Sequence, residues 1–330
     1  MTPDGGRRRR WFAAARWLVV VGAVAFAVVS LASAWNEVRD DLARLTPTSL
    51  AVALLAFLVA SGVLAVSWYC MLDAVGRPQE CGPGPAAEVF AVGQVGKYAP
   101  GAVWPVVVQT QIGQRHGLRW RTILMTYTLS VVVVLATGSF VSLGSLAGPG
   151  PRWLRAAVVG GAVLGAVLTA AVVHPAAAHQ LLNKVLVRAT GEGLPDRLQT
   201  RAAVGSMLAG LVFWAMVGIH ASAILHPLGV PSSKYVYVAG CFALAWVVGV
   251  AAVPVPAGVG VREAVLVLSL GSLVGRPTAV TLALVSRLVQ VVVDLGVAGV
   301  LASLGVFARA RSTADDAPEP AGLEGSDHGQ

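Results

Sequence analysis

Long apolar runs separated by short polar gaps set the pattern of this chain. Residues 17–34 carry no charge, and neither do 49–72, 122–146, 156–173, 202–225 or 235–253; the run 277–307 holds only Arg287 and Asp294. A helix rises 1.5 Å per residue, so about 20 apolar residues cross a hydrocarbon layer of about 30 Å. The pattern therefore predicts seven membrane-crossing helices. Two further apolar stretches, 89–111 and 254–275, are broken by proline and glycine.

The first break reads GKYAPGAVWPVVVQTQ over residues 96–111. Pro100 and Pro105 have no amide hydrogen and leave upstream carbonyls unsatisfied, while Gly101 relaxes the backbone. Irregular backbone at membrane depth persists only where protein or a water-filled cavity surrounds it. The second break, VPVPAGVGVREAVLVL over 253–268, stops one helix at Pro254 and Pro256. It turns at Gly258 and Gly260 and opens the next helix at Arg262-Glu263.

Loop charge gives the runs a direction. The gap WNEVRDDLAR (35–44) is net acidic and fits the outside, whereas GQRHGLRWR (113–121) is strongly basic and fits the cytoplasm. Zero crossings between them is the simplest count, so 89–111 is expected to enter from the cytoplasm and return there. The stretch 174–201 is net basic and also fits the inside. Arg309 and Arg311 place the C-terminus inside as well, which requires a crossing from 254–275 and raises the total to eight. The basic start, with an Ala-Ser-Ala stretch closing the first run, has features of a signal peptide. Its 18 apolar residues exceed an ordinary signal core, so an uncleaved first helix with a cytoplasmic N-terminus is expected. Residues 1–16 then form a basic cytoplasmic segment, 17–308 the integral-membrane domain, and 309–330 a disordered polar tail. Each break follows two long helices, which points to an internal repeat.

Composition agrees with this class. Of 330 residues 56% are hydrophobic and 12% charged, with a mean hydropathy of +0.74, far from the balance of soluble domains. The net charge of +8 belongs to basic loops, and no basic stretch is interleaved with aromatics, which excludes nucleic acid as a partner. Cys70, Cys81 and Cys241 have no metal or disulfide spacing. No nucleophile-elbow, HExxH or phosphate-loop motif occurs, so neither an enzyme nor a cofactor is expected.

Polar chemistry inside the apolar runs falls into three clusters. Lys97 and Gln109 flank the first break, with Lys97 either facing an anionic group in a cavity or snorkelling at a hairpin tip. At the second break, the amides following Gly258 and Gly260 open a helix and form an anion site. Glu263 suits the positive end of that helix, and Arg262 either pairs with it or faces a phosphate. In the last run, Arg287, Gln290 and Asp294 stand at i, i+3 and i+7 on one helical face. Intramembrane charges are costly and face the bundle interior. Arg287 and Asp294 are separated by about 10 Å along the axis, so each needs another partner, with Glu263 the candidate for Arg287. His220 is expected to hydrogen-bond between helices. Trp11, Trp17, Trp35, Trp120 and Trp153 read as interfacial anchors, and 176–190 as an amphipathic surface helix.

The three segments GKYAPGAVWP, PVPAGVGVREA and SRLVQVVVDLG resemble signatures of the lysylphosphatidylglycerol synthase transmembrane-region family, also described as flippase-like. In that family a basic residue precedes a Pro-Gly break, here Lys97 before Pro100-Gly101. A P-x-P-x-G-x-G-x-x-E motif follows a later helix, here Pro254 to Glu263 with Pro256, Gly258 and Gly260, and an arginine opens the last span, here Arg287. The resemblance covers roughly residues 10–308. It implies an all-α domain that moves a phospholipid, or a polyprenyl-linked lipid, between leaflets of the plasma membrane. The family's synthases add a soluble aminoacyl-transferase domain, and nothing after residue 308 is able to form one. A separate glycosyl- or aminoacyl-transferase is therefore the implied partner.

The sequence reading is thus a non-enzymatic translocase, binding an anionic headgroup near Lys97, the 258–263 turn and Arg287. Two alternatives stand beside it. A membrane glycosyltransferase using a polyprenyl-phosphate sugar would employ the acidic residues Glu37, Asp40 and Asp41, which otherwise read as a solvated loop. A small-solute transporter would share the broken-helix logic.

Overall fold

The computed structural model describes residues 35–78, 81–99, 103–149, 152–173, 199–251 and 260–315, with isolated helical positions at 29, 32, 33 and 187. Among the described residues the fold is all-α. Pro100, Gly101, Pro256 and Gly258 lie outside them, as do most of the first run 17–34, all but one position of 176–190 and most of the polar tail.

Five helices are long and apolar enough to cross a membrane: α2 (Pro47–Val75), α5 (Trp120–Ser142), α7 (Thr200–Leu225), α8 (Tyr235–Ala251) and α10 (Arg276–Asp315). They coincide with five of the seven expected runs. A sixth run, 156–173, forms α6 (Arg152–Val173). The bundle has an apolar core and also an apolar outer surface, with its few polar groups inside. On α10, Leu288, Val292 and Leu295 are exposed while Ser286, Gln290 and Asp294 are buried. This is the distribution expected when lipid replaces water outside the helix.

Side-chain pairings fix the directions. α2 and α7 run antiparallel: His220 bonds the Ala53 carbonyl, Ser206 meets Ser67, and the Gln199 amide bonds the Ala74 carbonyl. The face where α2 begins is the first face, and the face where it ends is the opposite face. The acidic gap 35–44, expected as a solvated loop, is instead a helix, α1 (Trp35–Arg44). Val38 and Asp41 are buried, and Asp41 pairs with Arg44 at 3.6 Å and accepts from Thr281 of α10 at 3.4 Å. The positions 38, 41 and 42 form one helical face, so Asp41 is drawn under the start of α10, which therefore begins at the first face.

The first broken segment folds into two short helices, α3 (Pro83–Val95) and α4 (Trp104–Gln114), joined through a 3-10 turn at Gly96–Tyr98. Gly96 lies against the Trp104–Pro105 backbone, Gly93 against Gln109, and Glu88 bonds His116 at 3.0 Å. The pairs move apart in step on both sides, which defines an antiparallel hairpin. At 13 residues, α3 is about 20 Å long, enough for half a passage. α10 runs antiparallel to it, with Asp294 at Lys97 and Gly305 at Glu88. The hairpin base therefore lies at the opposite face and its tip beside the middle of α10, so α3 starts and α4 ends at one face of the bundle.

The second broken segment makes the complementary excursion. α9 (Val261–Val274) leaves the turn beside α8, where Gly249 packs on Arg262. It runs back toward the start of α8, where the Tyr237 hydroxyl donates to the Ser269 carbonyl at 2.7 Å. α9 is thus a return leg of about 20 Å, ending at the first face where α10 starts. The two interrupted segments approach from opposite faces and meet beside the middle of α10.

Candidate functional site

A cavity of about 390 Å³ lies where they meet. Its walls are largely aromatic, including Phe57, Phe90, Phe213, Trp214, Phe242 and Trp246, and its polar lining comes from the hairpin tip, α9 and α10.

Lys97 sits at the hairpin tip because the 3-10 turn ends α3 there, ahead of the residues leading to α4. Its Nζ lies 2.7 Å from Asp294 Oδ2 and 3.3 Å from Gln94 Oε1. The Tyr98 hydroxyl donates to the same Asp294 oxygen at 2.6 Å. Lys97 therefore does not snorkel: its charge is held inside the bundle by a carboxylate that is only 4% exposed.

Arg262 occupies the first turn of α9 and is buried. Its Nη1 donates to Gln290 Oε1 at 2.8 Å, and its guanidinium lies over the Phe242 ring at 4.7 Å. It does not take the neighbouring Glu263. That carboxylate accepts the Gly260 amide at 2.6 Å, capping α9, and stands 3.9 Å from Arg287 Nη1. Gly260 enters the turn at φ 83°, a left-handed conformation that glycine adopts without strain.

Behind Arg262 a directed chain of hydrogen bonds crosses the bundle. Gln290 Nε2 donates to Ser286 Oγ at 3.1 Å, which lies 2.9 Å from His220 Nε2. The other ring nitrogen lies 2.9 Å from the Ala53 carbonyl. That carbonyl only accepts, so Nδ1 carries the proton and Nε2 accepts from Ser286. The chain fits a neutral histidine and fixes the amide oxygen of Gln290 toward Arg262. His220 is thus an interhelical hydrogen-bonder.

Gln109 also lines the cavity, but its side-chain nitrogen and oxygen are buried without hydrogen-bond partners, as are Trp68 Nε1 and Ser130 Oγ. Among the described residues there is no cluster of side chains suited to a metal ion. Of the twelve residues proposed from the sequence, Lys97, Gln109, Arg262, Arg287, Gln290 and Asp294 all line this one cavity. Gly260 and Glu263 flank it. Tyr98, Ser286, Trp68 and Ser130 were not singled out. Tyr98 adjoins Lys97 in the first break and was open to notice, while the others stand in ordinary apolar runs.

The structure is that of a polytopic helical membrane protein with a charged cavity at mid-membrane, built from two interrupted segments. Over residues 15–298 the chain matches the model of the lysylphosphatidylglycerol synthase transmembrane region, and it belongs to that family. None of the curated proteins compared with it matches.

Proposed function

We propose that this protein translocates an anionic phospholipid or lipid-linked headgroup between leaflets, without catalysing a covalent reaction. The observation that carries the reading is Arg262, a buried guanidinium bonded to a neutral amide beside a cavity. A charge at membrane depth is expensive unless balanced; Lys97 has Asp294 and Arg287 has Glu263 as carboxylate neighbours, whereas Arg262 is hydrogen-bonded to the neutral Gln290 amide. A phosphate entering the cavity would supply the missing negative charge. Acyl or prenyl chains would remain in the bilayer beside the exposed apolar faces. The two hairpins, approaching from opposite faces, would alternate access as transporter repeats do.

In this reading the hairpin base and the basic 113–121 loop are cytoplasmic, the N-terminus is inside, the membrane is the plasma membrane, and a separate transferase supplies the lipid. The glycosyltransferase alternative loses support at Asp41, which is engaged with Arg44 and Thr281. The test is transfer of a headgroup-labelled anionic lipid in liposomes. Arg287→Ala and Glu263→Ala are expected to abolish transfer in protein that remains folded, and normal transfer by both variants would overturn the site.

A further inference from the structure

Between the two faces of the bundle, the charged side chains belong to the interrupted segments and to α10. Lys97 is the only charged residue from 89 to 114, Arg262 and Glu263 are the only two from 235 to 275, and Arg287 and Asp294 are the only two from 277 to 308. The runs 17–34, 49–72, 122–146, 156–173 and 202–225 hold none. His220, the one histidine of those runs, is neutral in the hydrogen-bond chain that reaches Gln290. Three cations therefore face two carboxylates, and the interior keeps one positive charge.

The way the five charges are shared locates that surplus. Lys97 meets Asp294 at 2.7 Å, and Arg287 stands 3.9 Å from Glu263. Each broken segment thus sets one charge against an opposite charge on α10, and both pairs cancel. Arg262 bonds the Gln290 amide oxygen and lies over the Phe242 ring. An amide oxygen and a ring face stabilise a guanidinium through partial charges, and neither neutralises it. The surplus is therefore a single unit at Arg262, which lines the cavity together with Lys97 and Arg287. A guest with one negative charge would leave the interior neutral. A guest with two would leave an unbalanced anion at a depth where such a charge is costly.

We propose that the cavity selects a headgroup with a single negative charge, a phosphodiester rather than a phosphomonoester or a diphosphate. This rests on the anion-binding reading above and names its substrate class. The two free oxygens of a diester share one charge, whereas a monoester gains a second above about pH 6. The shared chemistry could come from a lipid phosphodiester or a soluble one.

The test is a titration of the purified full chain in zwitterionic nanodiscs, read by tryptophan fluorescence, since Trp214 and Trp246 line the cavity. At about pH 8 a phosphomonoester carries two charges. Three ligands share the same acyl chains: phosphatidic acid, its methyl ester phosphatidylmethanol, and diacylglycerol. The methyl group removes one charge from the phosphate and changes little else. In the wild type the methyl ester is expected to bind at least about tenfold tighter than the acid, because the acid leaves one buried charge unbalanced. Glu263→Gln and Asp294→Asn each raise the interior to two positive charges. Each keeps an oxygen able to accept from the Gly260 amide or the Tyr98 hydroxyl. In either variant the preference should fall below about twofold or reverse, since the second charge of the acid is now balanced. Phosphatidic acid binding the wild type as tightly as its methyl ester, or tighter, overturns the inference and leaves the anion reading standing. A preference undiminished in both folded variants overturns it as well. Diacylglycerol binding as tightly as the methyl ester overturns the anion reading, and the inference with it. A soluble glycerophosphodiester bound as tightly as the methyl ester supports the single-charge class and assigns the soluble source; markedly weaker binding supports the lipid source.

Discussion

The hairpin formed by α3 and α4 carries two acid–base pairs with buried carboxylates, one at each end, and their surroundings are opposite. At the base, Glu88 meets His116 at 3.0 Å while Gly305 of α10 presses against the Glu88 carboxylate. At the tip, Lys97 meets Asp294 at 2.7 Å beside a cavity of about 390 Å³. The base pair is packed on its far side by a helix that has no side chain there, so it fastens the hairpin to α10. The tip pair borders open space, with Arg262 and Arg287 within the same lining. An ion pair with room beside it is able to exchange partners with an incoming anion, whereas one enclosed by packing is not.

The contrast orders the expected effects of substitution. Asp294→Ala should be the most damaging, since it leaves the part-buried Lys97 without its counter-ion, a loss of about 2–3 kcal/mol once solvent screening in the cavity is allowed for. Thermal unfolding in detergent should show a large fall, with headgroup transfer abolished. The double variant Lys97→Met/Asp294→Leu should recover most of the stability, because removing both charges is far less costly than removing one. Transfer should stay lost, which separates the two roles of the pair.

At the base, His116→Ala should cost about 1 kcal/mol by removing one hydrogen bond from the Glu88 carboxylate. Transfer by the folded fraction should be close to normal. If transfer vanished while the fold survived, the base would be more than a fastening. Ser286→Ala interrupts the chain from His220 to Gln290 and should cost about 1 kcal/mol. Its transfer rate should fall several-fold, because the Gln290 amide is no longer held toward Arg262. The smallest effect is expected at Asp41→Asn, which keeps the shape under α10 and weakens a half-exposed pair by under about 1 kcal/mol. Unchanged transfer there would further weaken the glycosyltransferase alternative.

Much of this organisation is visible in the sequence because membrane helices advertise themselves by lacking charge. The i, i+3, i+7 stripe of Arg287, Gln290 and Asp294 marks the inward face of α10 before any contact is known. The ~10 Å separation of Arg287 and Asp294 rules out their pairing, and the structure gives them Glu263 and Lys97 as respective neighbours. The Lys97–Asp294 pair itself was not legible, since it joins residues 197 positions apart through the packing of α3 on α10. Gln109 was noticed as a polar residue, but its lack of a partner depends on its packing against Gly93. The acidic residues of α1 predict a solvated loop, and Glu37 and Asp40 are exposed, but Val38, Asp41 and Leu42 share one helical face that turns inward. Trp68 and Ser130 differ in no sequence feature from the other Trp and Ser residues of apolar runs.

The central claim is that unbalanced positive charge at mid-membrane selects an anionic headgroup, and Arg262 tests it most directly. Affinity for a phosphate-bearing lipid and for an uncharged lipid of the same chains should be measured on wild type and Arg262→Gln in nanodiscs. The wild type should prefer the phosphate lipid by about tenfold or more, equivalent to about 1.4 kcal/mol or more, and Arg262→Gln should lose most of that preference. Equal affinity for both lipids in the wild type, or an undiminished preference in folded Arg262→Gln, would contradict the account.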